Sequence, residues 1–278
     1  MDISIHKVNL PHPRPQWTES FARFGMAAKG VVYCLVGALA FMAAFEINGN
    51  TEEGAGKQGV FQFILEQPFG RILLGIVALG LICYTIWRFI QAFMDSEQKG
   101  TNAKGIGKRA AYAFSGLIYG GLAFYAAQLV LGNGGSGGGK DSRETLAGKL
   151  LEQPFGQWLV GIVAVATMGM GLYQIYRGVS GKYMKNVQTA SIKPDIKNTL
   201  MKAGKVGYIA RGIVWGLIGF LFLKAAMSSN AREAGGSNNA FQLVEQSYGS
   251  ILLGTIALGL LCYGIFMFVR ARYEVINT

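Results

Sequence analysis

The chain has 278 residues, 51% of them hydrophobic and only 15% charged, with 40 glycines. That balance is poor for a water-soluble globule and suits a bundle of membrane helices, where small residues let backbones approach. A net charge of +11 could mark a nucleic-acid binder, but the basic residues are spread over short connections instead of interleaving with aromatics on one module, which argues against that class.

Residues 1–18 read as a polar tail, in which His6, Pro11, His12, Pro13 and Pro15 leave no apolar core for a cleaved signal peptide. Apolar stretches follow at 27–47, 72–94, 110–131, 157–178, 206–227 and 250–270. Each is about 20 residues long, enough to cross a hydrocarbon core of about 30 Å as a helix. Cys34, Cys83 and Cys262 all fall inside these stretches, form no CxxC pair, and read as small apolar packing residues.

The stretches come in pairs. Glu66-Gln67-Pro68-Phe69-Gly70 returns as Glu152-Gln153-Pro154-Phe155-Gly156 and, altered, as Glu245-Gln246-Ser247-Tyr248-Gly249. An earlier anchor aligns Gly30, Gly116 and Gly212, each followed three residues later by Tyr33, Tyr119 or Trp215 and preceded by seven residues by Arg23, Arg109 or Lys205. The chain is therefore one two-helix unit written three times, at about 19–94, 104–180 and 201–274. An even number of spans per unit gives all three the same orientation, which predicts an all-α, six-helix bundle with pseudo-threefold symmetry about the membrane normal. Between the two spans of each unit, Phe61, Ile64 and Leu65, then Leu146, Leu150 and Leu151, then Phe241 and Val244, fall at helical spacing and predict a short amphipathic helix. Gly116-x-x-x-Gly120 and Gly212-x-x-x-Gly216 predict close helix crossings.

Segments 1–29, 95–109, 177–205 and 270–278 carry 17 of the 26 Lys and Arg residues. Positive charge on alternate connections predicts both termini in the cytoplasm. Arg23, Arg109 and Lys205 then stand at the cytoplasmic entry of each first helix. With Lys182, Lys185 and Lys193 they are candidate contacts for anionic lipid of the inner leaflet. Lys29 and Arg211 share a repeat position read as close to the inner surface, and Arg88 is read as near the cytoplasmic end of its span. No titratable side chain is expected at the midplane.

Three tandem units with an early basic-x-Gly-x-x-x-x-Gly-x-x-Tyr pattern and a later Glu-Gln-Pro-Phe-Gly resemble a bacterial membrane family, the domain of unknown function 1206 family. Arg23, Gly25, Gly30 and Tyr33 carry the pattern in unit one, and Lys205, Gly207, Gly212 and Trp215 in unit three, while unit two has Ala111 at the first glycine. The resemblance runs from about residue 19 onward. It implies a bacterial inner-membrane protein and supplies no activity, cofactor or catalytic residue.

For chemistry, Glu66, Gln67, Glu152, Gln153, Glu245 and Gln246 are the candidate site, a polar ring at the outer mouth of the bundle. The competing reading gives these residues a helix-start role, with Pro68 and Pro154 in the first turn and each Glu near the positive end of a helix dipole. Both histidines, His6 and His12, lie in the tail, so haem or zinc held by histidine within the bundle is excluded, and no P-loop or nucleophile elbow is present. The expectation is a non-catalytic bundle without cofactor that binds lipid, an apolar ligand, a membrane-protein partner or a second copy of itself. The alternative is a small channel or transporter built on the Glu/Gln ring.

Overall fold

The computed structural model describes residues 15–47, 54–94, 100, 102–132, 142–184, 187 and 194–275. Its nine α-helices among these residues are α1 (Pro15–Ala44), α2 (Lys57–Glu66), α3 (Gly70–Phe93), α4 (Ala103–Val130), α5 (Ser142–Leu151), α6 (Gly156–Val179), α7 (Pro194–Ser228), α8 (Ser237–Tyr248) and α9 (Ser250–Tyr273). Six of them, α1, α3, α4, α6, α7 and α9, are long and apolar enough to cross a membrane. The chain is a multi-pass helical membrane protein built from three two-helix repeats. Each unit has a short helix between its two long ones, so α2, α5 and α8 share one end of the bundle. Phe61, Ile64, Phe241 and Val244 of the short helices are buried, which docks α2 and α8 onto the long helices.

The repeated motif is the turn from short helix to second long helix. Glu66 is the last residue of α2, Gln67 caps it, and Phe69 adopts φ 61° before α3 begins at Gly70. The Gly70 N–H donates to the Gln67 carbonyl at 2.8 Å, and a Cβ on Gly70 would lie 2.3 Å from the Ile64 and Leu65 carbonyl oxygens. Only glycine fits there. Phe155 (φ 63°) and Gly156 repeat the geometry in unit two. Unit three has no proline, so α8 runs on through Tyr248 and Gly249 makes the corner at φ 79°. Pro68 and Pro154 therefore lie in the turn and not in the first turn of the next helix, and Glu66 closes one helix instead of opening another.

Long-helix neighbours run in the order α4, α3, α1, α9, α7, α6. Glycines set the tightest crossings. Cβ atoms on Gly37 and Gly264 would each come within 2.6 Å of backbone across the α1–α9 contact, and one on Gly171 would lie 2.8 Å from Gly212 O and Gly216 N across α6–α7. The expected threefold rule breaks at unit two. Units one and three each pack their own pair of long helices, α1 on α3 and α7 on α9, whereas α4 and α6 do not pack along their lengths. Gly121, Gly161 and Gly169 on these two helices face open space, where an added Cβ would meet no heavy atom within 4 Å.

Candidate functional site

Between α1, α3, α4, α7 and α9, basic residues and tyrosines interlock. Lys29 of α1 and Arg211 of α7 are 1% and 5% exposed. Lys29 lies near the middle of the candidate span Glu19–Ala44, and Arg211 near the middle of Lys197–Ser228. Burial among the other helices, which sequence position did not indicate, sets these two side chains apart. Both α1 and α7 begin well before the first purely apolar run of their spans.

Tyr84 of α3 accepts from Lys29 Nζ at 2.9 Å, from Arg88 Nε at 2.8 Å and from Arg88 Nη2 at 2.5 Å. Arg88 Nη1 also donates to Gln91 Oε1 at 2.8 Å. Arg211 donates to the Tyr33 and Tyr263 hydroxyls at 3.0 Å each, and Tyr119 OH donates to Tyr33 OH at 3.3 Å. Edge-to-face ring pairs, Tyr33 with Tyr263 at 4.8 Å and Tyr84 with Tyr119 at 4.7 Å, fix the hydroxyls in place. Lys29 Nζ stands 4.6 Å from the Tyr84 ring centroid and 4.8 Å from that of Tyr119. Among the described residues, none of Lys29, Arg88 and Arg211 meets a carboxylate. The buried acid Glu274 pairs with Arg270 at 2.5 Å. Hydroxyls and aromatic faces thus take the place of the counter-ions that buried basic groups normally have.

From the short-helix end, Lys57 at the start of α2 reaches into this cluster. It is 7% exposed, with Nζ 5.3 Å from the Tyr33 ring and 5.6 Å from that of Tyr119. Lys57 also lines a cleft of about 560 Å³ between α4 and α6. Its walls include Phe114, Leu117, Leu122 and Phe124 of α4, Val163 of α6 and Phe222 of α7, and its short-helix end carries Gln58, Gln128, Ser237 and Asn238. Leu117 and Phe124 are 65% and 66% exposed, so the cleft is open sideways, where a bilayer's acyl chains would be. Phe114 and Gln128 are 14 positions apart on α4, which makes the cleft about 21 Å long. A second recess of about 10 Å³, room for roughly one water, lies behind it between Lys57, Tyr33, Arg211 and Ser237. Lys57, Trp215, Ile218 and Ser237 line both.

Of the residues singled out from sequence, Glu66, Gln67, Glu152, Gln153 and Gln246 are exposed and Glu245 is half-buried, and none lines either cavity. Gln67 Nε2 donates back to Phe63 O at 3.2 Å, a helix-end contact. Glu66 sits at the negative end of its own helix, so the helix-start benefit expected of it is absent. Exchanging Glu66, Glu152 and Glu245 together for Gln should shift the melting free energy by no more than about 0.5 kcal/mol per site, measured by thermal denaturation in detergent. A joint loss of several kcal/mol would contradict this assignment.

Arg23 donates to the Ala271 and Arg272 carbonyls at 2.6 Å each, and Arg109 to Ala92 O at 2.7 Å and Phe93 O at 3.0 Å. These aligned arginines therefore hold the carboxyl ends of α9 and α3, where a cation meets the negative end of the helix dipole. Lys205 is exposed, and Lys182 is exposed and bonded to the Tyr176 hydroxyl. Lys185 and Lys193 lie outside the described residues.

The sequence reading missed Lys57, Tyr84 and Tyr263. A signal for the tyrosines existed, because Cys83 and Cys262 occupy one repeat position and Tyr84 and Tyr263 directly follow them. Nothing local distinguished Lys57 from any loop lysine. Among the described residues, no three His, Cys, Asp or Glu side chains gather as a metal site.

The family model described as Domain of Unknown Function (DUF1206) matches three times, at residues 24–95, 110–181 and 206–274. "Uncharacterized protein YxxB" of Bacillus subtilis (strain 168) is 32% identical over 263 residues, covering 93% of this chain and 92% of that protein. No solved structure matches.

Proposed function

Because the chain belongs to the DUF1206 family, whose description assigns no activity, we propose its role from geometry: it is a non-catalytic membrane protein that binds a lipid-like molecule in the cleft between α4 and α6. The observation that carries this reading is the cleft itself. Its volume of about 560 Å³ lies within the usual range for small-molecule sites. Its long apolar walls suit an acyl chain, and its lateral mouth gives access from the bilayer without passage through water. The polar groups at one end suit a headgroup held at a fixed depth.

The channel alternative rested on a Glu/Gln ring, and those residues line neither cavity. On the positive-inside count, the short-helix end with Lys57 and Asn238 faces away from the cytoplasm, in a bacterial inner membrane. Only unit two lacks packing between its own long helices, so one ligand per chain is expected.

Gly121 lines the cleft and would place a side chain in open space. Gly121→Leu should therefore fill the site without unfolding the protein, and the melting temperature should hold or rise, since glycine inside a helix costs about 1 kcal/mol relative to alanine. Binding can be read through Trp215, which lines the cleft, in a variant with Trp17, Trp87 and Trp158 replaced by Phe. Lipids brominated on the acyl chain should quench Trp215 strongly in that parent and weakly after Gly121→Leu. Equal quenching in both would defeat the reading.

A further inference from the structure

We infer that the ligand of this cleft is an acidic membrane lipid, its headgroup oxygen seated in the small recess between Lys57 and Arg211 and its acyl chain in the apolar cleft. This rests on the lipid-binding reading above and adds the charge of the ligand.

Two independent features meet at one place. The cleft has its polar end at Lys57, Gln58, Ser237 and Asn238, and the recess directly behind that end is lined by Lys57, Arg211, Tyr33 and Ser237. Both basic side chains are more than nine-tenths buried. Arg211 directs Nε and Nη1 at Tyr33 and Tyr263, phenols that accept without cancelling its charge. A guanidinium is permanently charged and carries five N–H donors, so two phenols leave donors over.

A buried cation held by neutral acceptors is costly alone and is stabilised by an arriving anion. The anion must carry an apolar chain, because the route to the recess runs along Phe114, Leu117 and Phe124 and opens to the bilayer. A neutral headgroup would gain little here. A phosphate or carboxylate oxygen would meet Lys57, Arg211 and the Ser237 hydroxyl together, in low dielectric where charge-assisted bonds are strongest.

The full chain is reconstituted in nanodiscs containing equal small fractions of phosphatidylglycerol and phosphatidylcholine with identical chains. Lipid retained per protein is then counted by native mass spectrometry after detergent extraction. The acidic lipid should be retained about tenfold over the neutral one, at one copy per chain. Lys57→Gln should bring that ratio near one, Lys57→Arg should restore most of it, and Gly121→Leu should abolish retention of both lipids. The Lys57 variants count only when their melting temperatures stay near the parent's, and the Gly121 variant supplies an independent arm if they do not.

Equal retention of both lipids by the parent, with Gly121→Leu still abolishing it, would overturn the acidic assignment and leave lipid binding standing. Selective retention that survives both Lys57→Gln and Gly121→Leu would place the acidic lipid elsewhere on the protein and overturn both. Retention of neither lipid would also overturn both.

Discussion

Tyr84→Phe should destabilise the protein by about 2–4 kcal/mol, while Lys29→Met should cost less than about 1 kcal/mol or stabilise it. The tyrosine ring is fully packed, with its centroid 4.7 Å from that of Tyr119, and phenylalanine preserves that contact. What changes is the oxygen. A phenol has two lone pairs, yet three N–H groups converge on this one, two from Arg88 and one from Lys29. Removing the oxygen leaves a charged guanidinium at half-buried depth with Gln91 as its remaining hydrogen-bond acceptor. Removing Lys29 deletes one competitor for a saturated acceptor and puts a linear apolar chain of similar length in its place. The comparison is read from thermal or denaturant melts in the same detergent. The account of the cluster would be wrong if Lys29→Met proved the more damaging of the two.

Gly264→Leu should cost about 3 kcal/mol or more, at the upper end for overpacking of a close-packed core. A Cβ at this position would lie 2.6 Å from both the backbone nitrogen and the sulfur of Cys34, and 2.8 Å from the Gly30 carbonyl oxygen. Two of these three atoms are backbone, so no rotamer change relieves the clash and α1 must move away from α9. That movement also draws Tyr33 from Tyr263, whose centroids are 4.8 Å apart, and loosens the Arg211 bridge between their hydroxyls. Gly75, with nothing within 4 Å, is the control, and Gly75→Ala should leave stability unchanged or slightly raised. Similar losses at both positions would mean that backbone approach is not what the Gly264 site requires.

Much of this architecture was legible in the sequence because it is written in repeats and periodicity. The six spans, the three short helices and a close crossing at Gly212 and Gly216 follow from spacing, while their partner Gly171 does not. Burial was not legible. The apolar runs mark the long helices, but which faces of α1 and α7 turn inward, burying Lys29 and Arg211, is set by packing that spacing does not give. The cleft was hidden for another reason, since it is made by two helices that fail to pack. Its trace in the sequence is what unit two lacks. Ser115 stands where units one and three have Lys29 and Arg211, and Met170 where they have Tyr84 and Tyr263. The Glu-Gln motif drew the eye by repetition, and its repetition reflects a turn needed three times.

The contact at the centre of the row of helices joins α1 to α9, through Arg23 on the Ala271 and Arg272 carbonyls and through Gly37 and Gly264 at the crossing. During synthesis, α1 enters the bilayer carrying Lys29 long before Tyr84 exists to receive it, and longer still before Tyr263 arrives. The early segment must therefore wait beside the insertion machinery or bear an unsatisfied basic group in lipid. Only once α9 is in place can α1 meet Tyr263 and Gly264. A nascent chain arrested before α9 therefore lacks one of the closest crossings of its first long helix.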